Sequence, residues 1–526
     1  MSNTISPIKP ELVRDSVVNF RDAQHKFAAV YDGGSQSTWQ KFPSTSYSQS
    51  SINFNVNLPS MRTCVDRRIY LSMEAEVTIT PLNDAGVPTP KPDIIRAGYE
   101  AFRAYPINSV IETMSCQIQN NNVSVSASDV YPYLLRYHNN DKLRNGYLSL
   151  SPHEMDQSQN YEELAGATRN PLGGVQDAAL GGPIGRGGFP YTSFANSTAL
   201  APAKLTAILT ENVLVSPFIH TDDEAGIMGI NQMNFVFNLK SSLKRMWSRV
   251  GGIGYNASVD IKINNPQLLM RFITVKQLAQ IPRQLVYNYN NIDKYNIDEQ
   301  AVVLPNGIKT VTSQNIQFNS VPDMIYIFVR RANKELTELT TDTFFAIDKV
   351  SIEFNNVSGI MSNASPEELY MTSVSNGVNI PYEQWRGVAY SLRTINKISG
   401  IGSILAINPA KDFGFDDSNS NGVKNKSTFQ VSVDCRNLSQ FDTITPSLYV
   451  ISVSAGAMVI TDNNVTLYQG ILSQNDVLQA GEQKGIDAKQ LREDKYGGSF
   501  LDVLKDVGKF VKDNKLVFSG LDITGS

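Results

Sequence analysis

The chain has 526 residues, of which 41% are hydrophobic and 18% charged, with a formal net charge of -4. That length holds two or three cores rather than one, and the charge lies below the usual quarter or so, with Asn, Ser, Thr and Gln in its place. A slightly acidic balance excludes a generic phosphate-binding surface, which would be basic. Cys64, Cys116 and Cys435 are the three cysteines; no CxxC pair exists, so no zinc ribbon or redox motif is readable, and the sparse, odd count fits a reducing compartment. The start carries no secretory pattern, and no apolar run reaches the length of a membrane span.

Residues 1–50 read as an N-terminal arm, with weak helical periodicity from Glu11 to Val30 and a Gly/Ser-rich stretch after it. Such an arm is either a frayed terminus or an extension that binds a neighbouring subunit or a shell's inner face. From residue 51 the pattern changes to period two. Ile52, Phe54, Val56 and Leu58 alternate with polar residues, as do Ile69, Leu71, Met73, Ala75, Val77 and Ile79. Similar runs follow at Leu205–Leu209, Met233–Leu239, Val259–Ile263, Ile325–Val329, Val350–Phe354, Phe429–Cys435 and Leu448–Ile460. Alternation of this kind marks strands with one face in a core. Many short strands with little helix predict a sandwich or barrel.

Residues 139–203 interrupt the pattern with a long, Gly-rich, non-periodic insertion; loops of this length are functional or disordered. In a shell protein it would sit at one end of the sandwich, as an outer tower or a contact between subunits. The stretch 240–249, with Lys240, Lys244, Arg245 and Arg249, reads as a short helix or loop facing solvent.

The most informative feature is an internal echo. Asn-Asn-Val-Ser stands at 121–124 and again at 355–358, each preceded by a strand pattern and followed by a helix pattern, with Ser128 and Ser365 as the expected caps. The copies lie too far apart for a solenoid. They predict two copies of one domain fold, 51–275 and 276–475, joined somewhere in 271–300.

The unit from Ile107 through Leu134, the run 314–330 and the late strand pair from Leu448 to Tyr468 carry a resemblance. Over residues 50–475 the chain resembles the double jelly-roll major capsid proteins of adenovirus-like, polinton-like, virophage and giant DNA viruses, with polinton-like viruses or virophages nearest by length. The resemblance implies an all-β fold of two tandem eight-stranded jelly rolls with long loop insertions, a few short helices and a C-terminal amphipathic helix. It implies a virion shell protein, made in the host cytoplasm, that forms a homotrimer. Three copies would give a pseudo-hexagonal hexon-like tile, packed against neighbouring capsomers, a penton, minor capsid or cement proteins and an internal membrane beneath. A viral fibre or carbohydrate-binding β-sandwich is the alternative, and a glycosidase on a β-scaffold a further one.

Residues 476–526 read as a polar linker and an amphipathic tail. Phe500, Leu501, Val503, Leu504, Val507, Phe510 and Val511 share one helical face opposite Lys505, Asp506, Lys509, Lys512 and Asp513. Phe500, Leu501, Leu504, Val507, Phe510 and Val511 are the candidate contact residues. Three readings stand open: docking on the tail's own domain, a tether to a minor capsid protein or neighbour, and a membrane-active helix. No catalytic residue, cofactor or metal site is read. The four histidines are not spaced as ligands, and the acidic stretch after His220 reads as a solvated loop.

Overall fold

A computed structural model describes residues 10–12, 18–20, 34–83, 85–88, 100–130, 151–159, 161, 191–195, 202–218, 226–249, 256–275, 284–299, 301–390, 397–413, 426–440, 442–461 and 464–469. Eight main strands build the first sandwich, its sheets extended by the short strands Ser46–Tyr47, Thr63–Val65 and Tyr191–Ala195: β1 (Gly34–Pro43), β2 (Ser51–Asn57), β3 (Tyr70–Leu82), β4 (Ile111–Ile118), β5 (Asn121–Val125), β6 (Ala203–Asn212), β7 (Gln232–Leu239) and β8 (Asn256–Val275). Eight more main strands, with the short strand Ile316–Phe318, build the second: β9 (Gln284–Asp298), β10 (Ile308–Thr312), β11 (Met324–Arg331), β12 (Ala346–Phe354), β13 (Val357–Ile360), β14 (Leu405–Ile407), β15 (Ser427–Arg436) and β16 (Pro446–Thr461). A last strand, β17 (Asn464–Gln469), folds back on β16.

The strand orders are the decisive feature. In the first sandwich one sheet runs β1-β8-β3-β6 and the other β2-β7-β4-β5; in the second they run β9-β16-β11-β14 and β10-β15-β12-β13. Adding eight to each strand number of the first half gives the second, and every pairing between these strands is antiparallel. This is the jelly-roll topology, twice.

Period-two patterning fixes which face of each strand is buried. Along β15 burial alternates without a break, Phe429, Val431, Val433 and Cys435 pointing inward. β3 does the same with Leu71, Met73, Ala75, Val77 and Ile79. Each such side chain removed from water contributes on the order of 1.5–3 kcal/mol. A one-residue slip would turn the whole set outward, so the register is pinned.

The echo maps onto equivalent hairpins but two residues out of phase. β4 and β5 join through Gln119 and Asn120, because Ile118 pairs with Asn121. β12 and β13 join through Asn355 and Asn356, because Phe354 pairs with Val357. Asn355 and Asn356 take φ of 48° and 66°, the left-handed region a two-residue hairpin turn requires and Asn tolerates. Asn121 and Asn122 therefore lie on a strand, while their sequence counterparts form a turn.

Several expectations are corrected. Gly34–Pro43 lies in what was read as an arm, yet it is β1, paired along β8 from Gly34↔Val275 to Pro43↔Gln267. Thr38 and Gln40, on the face shared with Phe42, are polar and exposed like Ser37 and Lys41 on the other face, so no period-two pattern shows. Pro10–Leu12 and Val18–Phe20 pair as a short ribbon, where weak helical periodicity had been read. Ser365 caps helix α2 (Pro366–Ser375) through a full capping box with Glu368. Ser128, the other expected cap, sits inside a helical turn that begins at Ala127. The stretch 240–249 does hold a one-turn helix, Leu243–Met246, but only part of it faces solvent: Ser241, Ser242 and Lys244 are exposed, while Arg245, Met246, Trp247 and Arg249 are buried. The tail 476–526 lies outside the described residues.

Candidate functional site

The functional geometry that the described residues present is the joint between the two sandwiches. It is polar where a core would be apolar. Just past β5, Asp129 accepts from Arg330 Nη2 at 2.9 Å and from Lys294 Nζ at 2.6 Å, with Lys240 Nζ at 3.9 Å. Arg330 lies near the end of β11 and Lys294 lies on β9, so one carboxylate of the first sandwich ties two strands of the second. The Arg330 guanidinium lies over the Tyr449 ring at 4.3 Å and donates to its hydroxyl at 2.8 Å. Burial pushes the Asp129 pKa up, but Arg330, Lys240 and Lys294 outweigh it and hold the carboxyl below its ordinary value. Burial pushes Lys240 down to about 8.

A second cluster centres on Arg103, which is fully buried. Its guanidinium donates to Asp342 at 2.9 Å, to Asp156 at 3.4 Å, to the Tyr161 hydroxyl at 3.2 Å and to the Thr340 carbonyl at 2.9 Å. Arg245 donates to the carbonyls of Thr337 (2.6 Å) and Thr340 (2.7 Å) and pairs with Asp342. The Asp342 N–H in turn reaches Asp156 Oδ2 at 2.9 Å. Burial opposes the charge on Arg103, but Asp342, Tyr161 and Asp156 outweigh it and hold the guanidinium charged.

Gln159 closes the same side, its Nε2 donating to the carbonyls of Phe344 (2.7 Å), Ile401 (3.1 Å) and Gly400 (3.2 Å). Farther along, the Tyr287 hydroxyl accepts from Met228 N–H at 2.8 Å, and Ser216 Oγ from Asn290 N–H at 2.9 Å. Asp156, Gln159 and Tyr161, inside the insertion expected to form an outer tower or a contact between subunits, are thus built into the joint within the chain. Behind them, Glu211 accepts from Ile107 N–H at 2.7 Å and Asn108 N–H at 2.9 Å, fixing helix α1 (Pro106–Val110). Burial raises the Glu211 carboxyl to about 7.

Chemically this arrangement fixes an angle. Directional, charge-assisted bonds to many partners hold two rigid bodies in one orientation, and taking either partner away strands a buried charge. The aromatic side chains that a carbohydrate-binding sandwich would need to gather into a sugar cradle are not brought together. Trp247 and Trp385 are buried in different sandwiches, Trp39 is exposed on β1, and Tyr295 packs against Phe318. His220 and the six tail residues Phe500, Leu501, Leu504, Val507, Phe510 and Val511 lie outside the described residues. Among the described residues no three His, Cys, Asp or Glu side chains are placed to hold a metal ion. The joint is not readable from sequence because its charged residues are scattered over strands β9 and β11, a one-turn helix and non-periodic loops far apart in the chain.

Comparison with known proteins gives the family. The model of the Sputnik virophage major capsid protein first domain matches residues 6–273, and that of the major capsid protein V20 C-terminal domain matches 292–456. The putative capsid protein V20 of Sputnik virophage is 30% identical over 551 residues, covering 99% of this chain and 91% of that protein. The chain belongs to the Sputnik virophage major capsid protein family. The cryo-EM structure of the Sputnik virophage superimposes with a TM-score of 0.79 at 29% identity, covering 94% of this chain and 99% of that one. The mavirus major capsid protein shares the fold, with a TM-score of 0.69 at 16% identity over 84% of this chain and 92% of its own. As a member of this family, the chain is a structural protein of the virion shell and not an enzyme.

Proposed function

We propose that three copies of this major capsid protein close into a pseudo-hexagonal capsomer and that such capsomers tile an icosahedral shell. The observation that carries this reading is the repetition of one topology in one chain, held at a fixed angle by a buried ionic joint. Two like bodies set side by side form one third of a six-membered ring, and three chains complete it through a heterologous contact that closes. The chain then divides into two shell-building units, 51–275 with β1 added to it and 276–475, with the tail 476–526 beyond them. The tail residues Phe500, Leu501, Leu504, Val507, Phe510 and Val511 are proposed to meet a minor capsid protein, a neighbouring capsomer or an internal membrane. Neighbouring capsomers, a penton and cement proteins are the remaining partners, and no sequence-specific contact with nucleic acid is proposed. Sedimentation of the purified full-length chain tests the reading. A species of three chain masses is expected, and a monomer or dimer at every concentration contradicts it.

A further inference from the structure

The two clusters of the joint differ in their balance of charge. Around Arg103 the signs are even, with Arg103 and Arg245 facing Asp156 and Asp342. Around Asp129 they are not. That single carboxylate faces Arg330, Lys294 and Lys240, an excess of two positive charges among the described residues. The nearby carboxylates of β9 do not close the gap: Asp293 accepts from Asn291 Nδ2 at 2.6 Å, Asp298 accepts from Ser447 Oγ, and both are exposed.

Lys240 is the cation left over. Its Nζ stands 3.9 Å from Asp129 Oδ1, beyond hydrogen-bond reach, and among the described residues no other acceptor meets it. Lys294 uses one of its three donors on Asp129. A lysine usually extends its charged head into water, but the backbone here is pinned. Leu239 N–H donates to the Ser50 carbonyl at 2.8 Å and Lys240 N–H to the Val110 carbonyl at 2.9 Å. The side chain of Lys240 is only 24% exposed and that of Lys294 22%. Burial pushes Lys240 down to about 8 in spite of Asp129, the mark of a cation short of negative charge.

We propose that Lys240 and Lys294 hold a small oxyanion of the phosphate class in the joint, as the counter-ion that the chain itself does not supply. A tetrahedral oxyanion presents acceptors in several directions, so one ion takes charge-assisted hydrogen bonds from both ammonium groups. Both side chains are covered over most of their surface, which selects a small ion over a polymer or a bilayer surface. Bound there, the ion links the end of β7 in the first sandwich to β9 in the second. It also offsets the desolvation of cations that one carboxylate cannot match. The site belongs to the single chain and does not depend on the trimeric reading.

Inorganic phosphate titrated into the purified full-length chain, with sodium chloride at equal ionic strength as the reference, tests the site. Calorimetry should show one saturable site per chain, and the melting temperature should rise with its occupancy. Lys240→Met should weaken phosphate binding by at least about tenfold, while Lys244→Met, at an exposed lysine beside the joint, leaves it as in the parent. A second readout needs no variant. Phosphate should slow the acetylation of Lys240 and Lys294 by acetic anhydride and leave Lys244 unchanged, scored by mass spectrometry. Stabilisation that grows without saturating is the general effect of an excluded salt and overturns the site, as does equal saturation by chloride. Binding undiminished in Lys240→Met, or acetylation slowed alike at all three lysines, overturns it too.

Discussion

Two buried residues carry most of what is specific at the smallest scale. Asp129 faces Arg330, Lys294 and Lys240, and Asp129 and Arg330 are both buried. Asp129→Ala strands the Arg330 guanidinium and should lower stability by about 3–5 kcal/mol, measured by chemical denaturation. A loss under about 1 kcal/mol, as for an exposed pair, would mean that water reaches the joint. Glu211 gives a pH signature. Its carboxyl rises from 4.5 to about 7 on folding, so the folded chain holds a proton there that the unfolded chain has released. The stability this contributes is fully present below about pH 4.5 and is lost as pH rises through about 7. Glu211→Gln removes that titration. The fall in melting temperature between about pH 5 and about pH 8 should therefore shrink relative to the parent, and an identical fall in both proteins contradicts the assignment. None of these residues was legible in sequence. Arg103, Asp156 and Tyr161 sit in loops without periodicity, and Arg245 and Arg249 follow the rule that charges face water until the second sandwich covers them.

At the scale of elements, the strands were legible wherever one face is wet, as in β3, β7 and β15, because alternation records burial directly. β1 was not, since both of its faces carry exposed polar residues, Ser37 and Lys41 beside Trp39 and Thr38 and Gln40 beside Phe42. The repeated Asn-Asn-Val-Ser marks equivalent hairpins, but only the second copy supplies the turn. Asn356 holds φ of 66°, so Asn356→Ala should cost about 1–2 kcal/mol while Asn356→Gly is nearly neutral, both read from thermal melts. Equal losses for the two would remove the conformational explanation. Gly402, with φ of 97°, lies against the Phe344 carbonyl, where a Cβ would collide with backbone. Next to it, the carbonyls of Gly400 and Ile401 receive Gln159. Gly402→Ala should therefore destabilise by at least about 1 kcal/mol and loosen the joint, seen as faster hydrogen exchange over 397–403. Unchanged exchange there would place the joint's rigidity elsewhere.

For the whole molecule, the echo and the strand periods pointed to two like domains, and the strand orders bear out the double jelly roll. What sequence withheld is the angle between them, which depends on contacts more than 200 residues apart, such as Asp129 with Arg330. That angle is the property a shell subunit must have. If the joint sets it, then three rigid copies generate six equivalent lobes without further adjustment. Electron microscopy of the purified, assembled protein measures this directly. Six lobes of alternating identity around a three-fold axis, each chain supplying two adjacent lobes at the angle fixed by the ionic joint, is the predicted image. Particles in which a chain's two lobes take variable angles, or are not neighbours in the ring, would contradict it.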